Sequence, residues 1–218
     1  MRLCGKLELY LQRITYSDFT LTKLGKKFGI THQSKVLFEV VEDKMILPSA
    51  HLLEDLDFAS KMPAFSEKAK SELLIMPILK EFYKTNQDKL TIFSGYSFDV
   101  DAKNELNGVC DYLLSASPHL LEIKSPVFCL VEAKNRGVEE GFGQCAAEMY
   151  AASLFNQENK QPLPNIYGVV TNGYEWVFMK YEANNVIIDQ KRYFLSDVTT
   201  ILYILGKIID ESYLQILA

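Results

Sequence analysis

Three residues in the middle of the chain have types and spacing that could catalyse metal-dependent hydrolysis. Glu132 and Lys134 lie two residues apart at the end of the apolar run 127–131, and Asp111 lies on a neighbouring apolar run. Because a strand alternates its side chains between two faces, Glu132 and Lys134 are expected to point the same way. Burying such charges is costly unless they are paired or bind a metal. Carboxylate oxygens are preferred ligands of Mg²⁺, so the three residues predict a magnesium site suited to phosphodiester hydrolysis.

Two alternatives to this site stay open at the level of sequence. Glu132 and Lys134 could instead form a purely structural ion pair at a strand end. A second Glu-x-Lys pattern, Glu122 and Lys124, lies ten residues upstream and is followed closely by a proline, which interrupts strand pairing. No comparable apolar run precedes it, so the strand pattern favours Glu132 over Glu122.

Asp111, Glu132 and Lys134 together resemble the motif of the PD-(D/E)xK nuclease superfamily, with twenty residues between the two acids. Cys110 stands where the name of the motif has a proline, which leaves the acid itself in place. The resemblance covers residues 66–181 and implies a restriction-endonuclease-like core of the order α-β-β-β-α-β.

The resemblance also implies a role for each motif residue. Asp111, Glu132 and the backbone carbonyl of Ala133 are expected to hold Mg²⁺, for which Mn²⁺ can substitute. Lys134 is expected to orient the attacking water and to offset negative charge in the transition state. If its pKa is lowered, it could also act as a base.

Two helical residues extend the resemblance. Glu72 lies on the first predicted core helix, where the family often carries a further acid that reaches the metal, although a solvated helix residue explains it equally well. Gln144 matches a glutamine in the N-terminal nuclease domain of type I restriction motor subunits, with an ordinary helix-capping or surface amide as the alternative. The tyrosine that follows that glutamine in the family is displaced here, to Tyr150.

The helix that carries Gln144 has a pattern that predicts which side faces the sheet. Glu140, Gln144 and Glu148 recur at intervals of four and form one face. The other side, with Phe142, Cys145 and Met149, is expected to pack on the sheet.

Hydrophobic periodicity predicts an α/β fold with a mixed central sheet flanked by helices. Residues 1–62 are expected to be a small α+β addition, and residues 63–218 the restriction-endonuclease-like core. Ser17 and Ser49 are candidate helix caps, Pro77 should kink the first core helix, and Thr171-Asn-Gly-Tyr is a hairpin signal. The predicted strands are 6–12, 36–41, 90–100, 108–115, 127–134, 166–171, 175–181 and 186–190, and the predicted helices are 18–28, 52–60, 66–83, 137–155 and 196–216.

Composition narrows the classes of function. The 218 residues carry a net charge of −5, so nucleic acid would have to be attracted by a local basic patch. Lys23, Lys26 and Lys27 form one such patch, although a solvated helix face is the simpler interpretation. The chain has four cysteines without a C-x-x-C pair and only three histidines, which argues against a zinc site and is typical of a cytoplasmic protein with free thiols. No apolar stretch is long enough to span a membrane.

These observations predict a Mg²⁺-dependent nuclease that hydrolyses phosphodiester bonds, with DNA as the favoured substrate and a restriction or defence system as its setting. The alternative is a catalytically inactive nucleic-acid- or protein-binding module with the same fold. A homodimer and a separate partner that supplies specificity both remain open.

Overall fold

An eight-stranded mixed β-sheet organises the fold in the computed structural model, which describes residues 15–41, 45 and 47–217. The spatial order is β1-β7-β6-β5-β4-β3-β2, and β8 pairs with β6. The pairing is antiparallel except for β1 with β7 and β4 with β5, which are parallel. The strands are β1 (Thr31–Lys35), β2 (Thr91–Ser97), β3 (Val109–Ser115), β4 (Val127–Ala133), β5 (Asn165–Thr171), β6 (Glu175–Glu182), β7 (Asn185–Asp189) and β8 (Tyr193–Phe194).

Helices flank this sheet, which confirms the predicted α/β class. All seven residues of β4 are buried, as the continuous apolar run predicts for a central strand covered on both faces. The last two long helices, α5 and α6, both contact β4 and β5. The helices are α1 (Leu21–Phe28), α2 (Ala50–Ser60), α3 (Glu67–Lys70), α4 (Met76–Asn86), α5 (Phe142–Glu158) and α6 (Val198–Leu217), and none in the described part of the chain is long and apolar enough to cross a bilayer.

The predicted strands after residue 90 are confirmed, with β2 to β7 in the expected places and a hairpin between β5 and β6. The strand predicted at 36–41 is wrong: Phe38 packs against Phe178, and the N–H of Leu37 donates to Asp189, so this segment is anchored without joining a ladder. The edge strand β1 lies just before it and was missed, because its mostly exposed polar residues carry no apolar signal. The strand predicted at 6–12 lies outside the described residues.

The N-terminal helices begin and end where their capping chemistry places them. Thr20, not Ser17, caps α1 by accepting from the N–H of Lys23, while Tyr16–Asp18 forms a separate 3₁₀ turn. Gly29 ends α1 in the left-handed conformation, which agrees with the end of the helix predicted at 18–28. Ser49 caps α2, also as predicted.

The first core helix contains a π-helical segment that the sequence pattern did not predict. Ser66 caps α3, and residues Ser71–Ile75 then form a π turn before α4 begins at Met76. Pro77 lies in the first turn of α4, so the proline coincides with this change of helical repeat. The π turn alters which side chains share a face of the helix, and it therefore affects which of its acids, Glu67 or Glu72, lies closer to the candidate site.

Helix α5 is buried nearly all round rather than on one side. Cys145 and Met149 pack against Gly168 of β5, which confirms the predicted sheet-facing side. On another side, the backbone of Phe19 approaches Gly143 so closely that a Cβ there would lie 2.2 Å from the Phe19 carbonyl oxygen. The described part of residues 1–62 therefore packs on the same sheet and helix as the rest, and the division at residue 62 stays a prediction.

Candidate active site

Asp111 and Glu132 meet because β3 and β4 are adjacent antiparallel strands. Tyr112 lies opposite Val131, so the next residues toward the same sheet edge are Asp111 and Glu132. Asp111 Oδ2 accepts a hydrogen bond of 2.8 Å from the N–H of Ala133, which ties the acid to the end of β4. Burial raises the pKa of Asp111, although this N–H, the Lys134 charge and the neighbouring side chain of Glu132 act to lower it.

Glu132 is a buried carboxyl with one oxygen left unsatisfied. Its side chain is only 2% exposed, and Oε2 has no hydrogen-bond partner in the described part of the chain. Burial, followed by the charge of Asp111, raises its pKa to about 8, even though Lys134 acts in the opposite direction. Two neighbouring carboxyl groups resist being ionised together, because their negative charges repel each other. A bound divalent cation would offset this repulsion.

Lys134 is held as a charged ammonium beside this pair. Its Nζ donates to Glu132 Oε1 at 2.5 Å and to Gln144 Oε1 at 3.0 Å. Burial is the largest single influence and acts to lower the pKa of Lys134, but the charge and hydrogen bond of Glu132, with the charges of Glu67 and Asp111, together raise it. Lys134 therefore offers positive charge and a hydrogen-bond donor, and this arrangement does not favour its use as a base.

Gln144 and Glu148 continue the network along α5. Gln144 Nε2 donates to Glu148 Oε1 at 3.1 Å. Glu148 is completely buried, and its Oε2, like that of Glu132, lacks a hydrogen-bond partner among the described residues. Burial and the charge of Glu132 raise the pKa of Glu148 well above its usual value. Gln144 is thus not a surface amide: it links the motif lysine to a second buried acid.

A cavity of about 450 Å³ opens beside Asp111 and gives the site its access. Gly95 of β2 also lines it, with φ of +70° and open space where a side chain would start. Glu72 is present in its wall as predicted, but its side chain is 65% exposed and its ion pair is with Lys68, at 3.8 Å. The polar side chains of the wall are Glu67, Lys68, Ser71, Glu72, Ser94, Asp111 and Tyr112.

Glu67 is the acid of this helix that the sequence analysis missed. It lines the cavity, and its charge acts on both Glu132 and Lys134, raising the pKa of each. The π turn that follows changes the helical repeat, so a uniform period of 3.6 residues could not rank Glu67 above Glu72. The only sequence signal was its place directly after the capping Ser66.

Gly141 is a second missed residue. A Cβ there would lie 2.5 Å from Val170 and 3.2 Å from two carbons of the Lys134 stem, so only glycine allows this approach. The turn before α5 thereby packs directly on the lysine side chain. The glycine-rich spacing of residues 137–143 was the available signal.

Other candidates from the sequence lie elsewhere. The ring of Tyr150 packs at a tilt against Phe28 and Tyr181, with centroids 4.9 and 5.9 Å away, and in the described structure Tyr150 makes no hydrogen bond to the network around Lys134. In the basic patch, Lys23 and Lys27 both contact Glu105 at 2.9 Å, so two of its three charges are already paired.

The donor set can be tested against the Mg²⁺ that the motif implies. In the chain as described, no group of three or more His, Cys, Asp or Glu side chains is arranged to hold a metal ion. The available donors are the Asp111 and Glu132 carboxylates and the Ala133 backbone carbonyl, with Glu132 Oε2 unsatisfied. Mg²⁺ keeps several waters and is usually bound by one or two carboxylates, so these hard oxygen donors fit it.

Comparison of the chain with protein-family models, with curated proteins and with solved structures found no match.

Proposed function

We propose that the chain is a metal-dependent nuclease with a restriction-endonuclease-like core, similar to the PD-(D/E)xK superfamily. One observation carries the proposal: Asp111 and Glu132 face each other at the end of two adjacent strands, beside an open cavity, with Lys134 fixed next to them. A buried ion pair with a purely structural role would need neither the second acid nor the unsatisfied oxygen of Glu132.

The order of elements supports the same family. A helix comprising α3, the π turn and α4 is followed by β2, β3 and β4, then by α5 and β5. This is the order α-β-β-β-α-β that the resemblance implies. Asp111, Glu132 and Lys134 occupy the second and third of these strands and the residue after the third, which are the positions expected for the motif.

Each residue of the site has a distinct task in this proposal. A bound Mg²⁺ would supply a Lewis acid for the phosphate and a water of lowered pKa. Asp111 and Glu132 hold the ion with their hard oxygens, helped by the carbonyl of Ala133. Lys134 stabilises negative charge on the phosphate as it develops, because its ammonium is already oriented by Glu132 and Gln144.

DNA as substrate, and a restriction or defence setting, are proposed from the resemblance to type I restriction motor subunits. Lys68 is the one basic residue that lines the described cavity, against the three acids Glu67, Glu72 and Asp111, so attraction of a polyanion there would depend on a bound cation. With a net charge of −5, the chain supplies little long-range attraction of its own. A second copy of the chain, or a partner protein that confers specificity, would strengthen binding.

A non-catalytic binding module with the same fold is the second candidate. It is favoured by the scarcity of metal donors, since the described side chains include no group of three potential ligands. In such a module, the Lys134–Glu132 pair would only stabilise the end of β4. The two candidates differ in what a divalent cation does to the protein.

The test combines cleavage with thermal unfolding. Purified protein is incubated with single- and double-stranded DNA and RNA in Mg²⁺, in Mn²⁺ and in EDTA, and its Tm is measured under the same conditions. The nuclease proposal predicts cleavage that requires the cation and a Tm that rises by mass action. Glu132→Ala should remove both effects, and Glu122→Ala should remove neither. A chain that shows no cleavage and no shift in Tm is the binding module instead.

A further inference from the structure

Glu148 is a buried acid for which the proposed chemistry has no direct use. It lies one helical turn after Gln144 in α5 and is fully buried, as are Ala147 and Ala151 of the same helix. Among the described residues, only one of its oxygens accepts a hydrogen bond, from Gln144 Nε2. An apolar side chain would cost less free energy at this position, so folding alone gives no reason for an acid here.

The position of Glu148 determines how the Gln144 amide must be oriented. An amide has a donor end and an acceptor end, and each can bond only to a group of the opposite kind. Glu148 Oε1 receives the Nε2 end, so the Oε1 end faces the ammonium of Lys134. If the amide were reversed, its NH₂ group would face the donor-only ammonium, so the hydrogen bond to Lys134 would be lost.

We propose that Glu148 is a positioning residue: its carboxyl locks the Gln144 amide so that Lys134 is held with one N–H free for the substrate phosphate. An ammonium has three donors. Two of them bond to Glu132 Oε1 and Gln144 Oε1, and the third has no partner in the described structure. Fixing two donors fixes the direction of the third.

The proposal rests on the nuclease function for its effect on cleavage, but its effect on Lys134 can be measured without any substrate. Three single variants separate the possibilities. Glu148→Met removes the acceptor at similar volume, and Glu148→Gln keeps one acceptor oxygen for the Gln144 amide. Glu140→Met is the matched control, since Glu140 is an exposed acid shortly before α5.

The direct readout is the ¹⁵N–¹H signal of the Lys134 ammonium in protein prepared without divalent cations. Held by two acceptors, this ammonium exchanges its protons slowly and gives a resolved signal in the parent, in Glu148→Gln and in Glu140→Met. In Glu148→Met the amide loses its second anchor and holds the ammonium less firmly, so the signal should broaden or disappear. In cleavage assays with Mg²⁺, the same variant should lower kcat by about tenfold to a hundredfold, the usual effect of losing an outer hydrogen-bond partner, with KM little changed.

A double variant tests the reason for the effect. A carboxylate has two equivalent acceptor oxygens and needs no orientation, so Gln144→Glu should make Glu148 dispensable. The pair Gln144→Glu with Glu148→Met should therefore recover the Lys134 signal that Glu148→Met loses. A general packing defect would not be repaired by a change in the polarity of residue 144.

The outcomes separate this inference from the nuclease proposal. A parent protein that cleaves nothing overturns the nuclease proposal, while the Lys134 signals still decide the role of Glu148. An unchanged Lys134 signal in Glu148→Met, or a double variant that folds but does not recover the signal, overturns the positioning role. If Glu148→Met does not fold, the double variant and Glu148→Gln decide instead: resolved Lys134 signals in both support the proposal, and loss in either contradicts it.

Discussion

Two Glu-x-Lys segments lie ten residues apart in this chain, and both form an ion pair within the segment. Glu122 and Lys124 lie in an exposed loop, with side chains that are 75% and 58% exposed and charged atoms 3.4 Å apart. Glu132 and Lys134 lie at the end of a buried strand, with 2% and 17% exposure and a distance of 2.5 Å. Water screens the first pair, so it is worth little. The second pair is desolvated and adjoins two further acids. Since both segments share the Glu-x-Lys pattern, it is these surroundings that make the second pair a candidate for catalysis.

The largest difference between the two segments should be in catalysis. Lys134→Ala should reduce cleavage by about a hundredfold or more, the effect of removing one preorganised donor to transition-state charge. It should still allow the cation to raise the Tm, because the lysine is not a ligand. Lys124→Ala should cleave at the parental rate. Initial rates under saturating Mg²⁺ measure the comparison, and a Lys134→Ala variant that cuts like the parent contradicts the proposed role.

The pH dependence of stability should separate the two glutamates next. The pKa of Glu132 is raised to about 8, so the folded protein binds its proton more tightly than the unfolded chain does. The contribution of this proton to the free energy of unfolding is therefore fully present below the unfolded pKa near 4.5 and is lost as pH rises through about 8. The free energy of unfolding without divalent cations should fall across this window by up to about 1.4 kcal/mol per pH unit.

Glu132→Gln removes the titrating group and should flatten that slope, whereas Glu122→Gln should leave it unchanged. Denaturant unfolding at several pH values between 5 and 8, in EDTA, measures both variants. Asp111 and Glu148 also have raised pKa values and contribute slope of the same sign, so the slope should decrease without vanishing. An identical slope in the parent and Glu132→Gln would show that Glu132 is already ionised in the folded protein.

The contrast between the two segments could be predicted from the sequence because it depends on a local signal. An apolar run that covers both faces of a strand identified β4, and with it the site of Glu132. Where burial depends on distant parts of the chain, a local sequence pattern does not reveal it. Gln144 and Glu148 appeared to form a polar face of α5, but they are buried, and the backbone at Phe19 packs against the same helix.

Two other differences have similarly physical causes. The polar edge strand β1 is held by backbone pairing with β7, which leaves no hydrophobic pattern to detect. The π turn before Pro77 interrupts the helical repeat, so a calculation with one fixed period misassigns the acids of that helix.

A smaller loss of cleavage is expected for Gln144, the residue of α5 that is hydrogen-bonded to Lys134. Gln144→Ala removes an acceptor from Lys134 and a donor from Glu148 at once. We expect cleavage to fall by about tenfold to a hundredfold and the protein to lose about 1–3 kcal/mol of stability, since buried polar groups are left unsatisfied. Kinetics and denaturant unfolding of the same preparation measure both. Unchanged stability with reduced cleavage would mean that water replaces the amide.

The smallest predicted effect concerns Glu67 and Glu72, the two acids of the first core helix. Both line the cavity beside Asp111, close to the segment of Glu132 and Lys134. Glu67 acts electrostatically on Glu132 and Lys134, whereas Glu72 is mostly exposed and forms an ion pair with Lys68. Glu67→Ala should therefore weaken Mn²⁺ binding by about twofold to fivefold, the range of a solvent-screened charge interaction, and Glu72→Ala should weaken it less. Titration calorimetry at low salt, with Glu122→Ala as the control, resolves differences of this size. A larger loss in Glu72→Ala would mean that the acid chosen from the sequence reaches the ion directly, and that Glu67 only shapes the field around it.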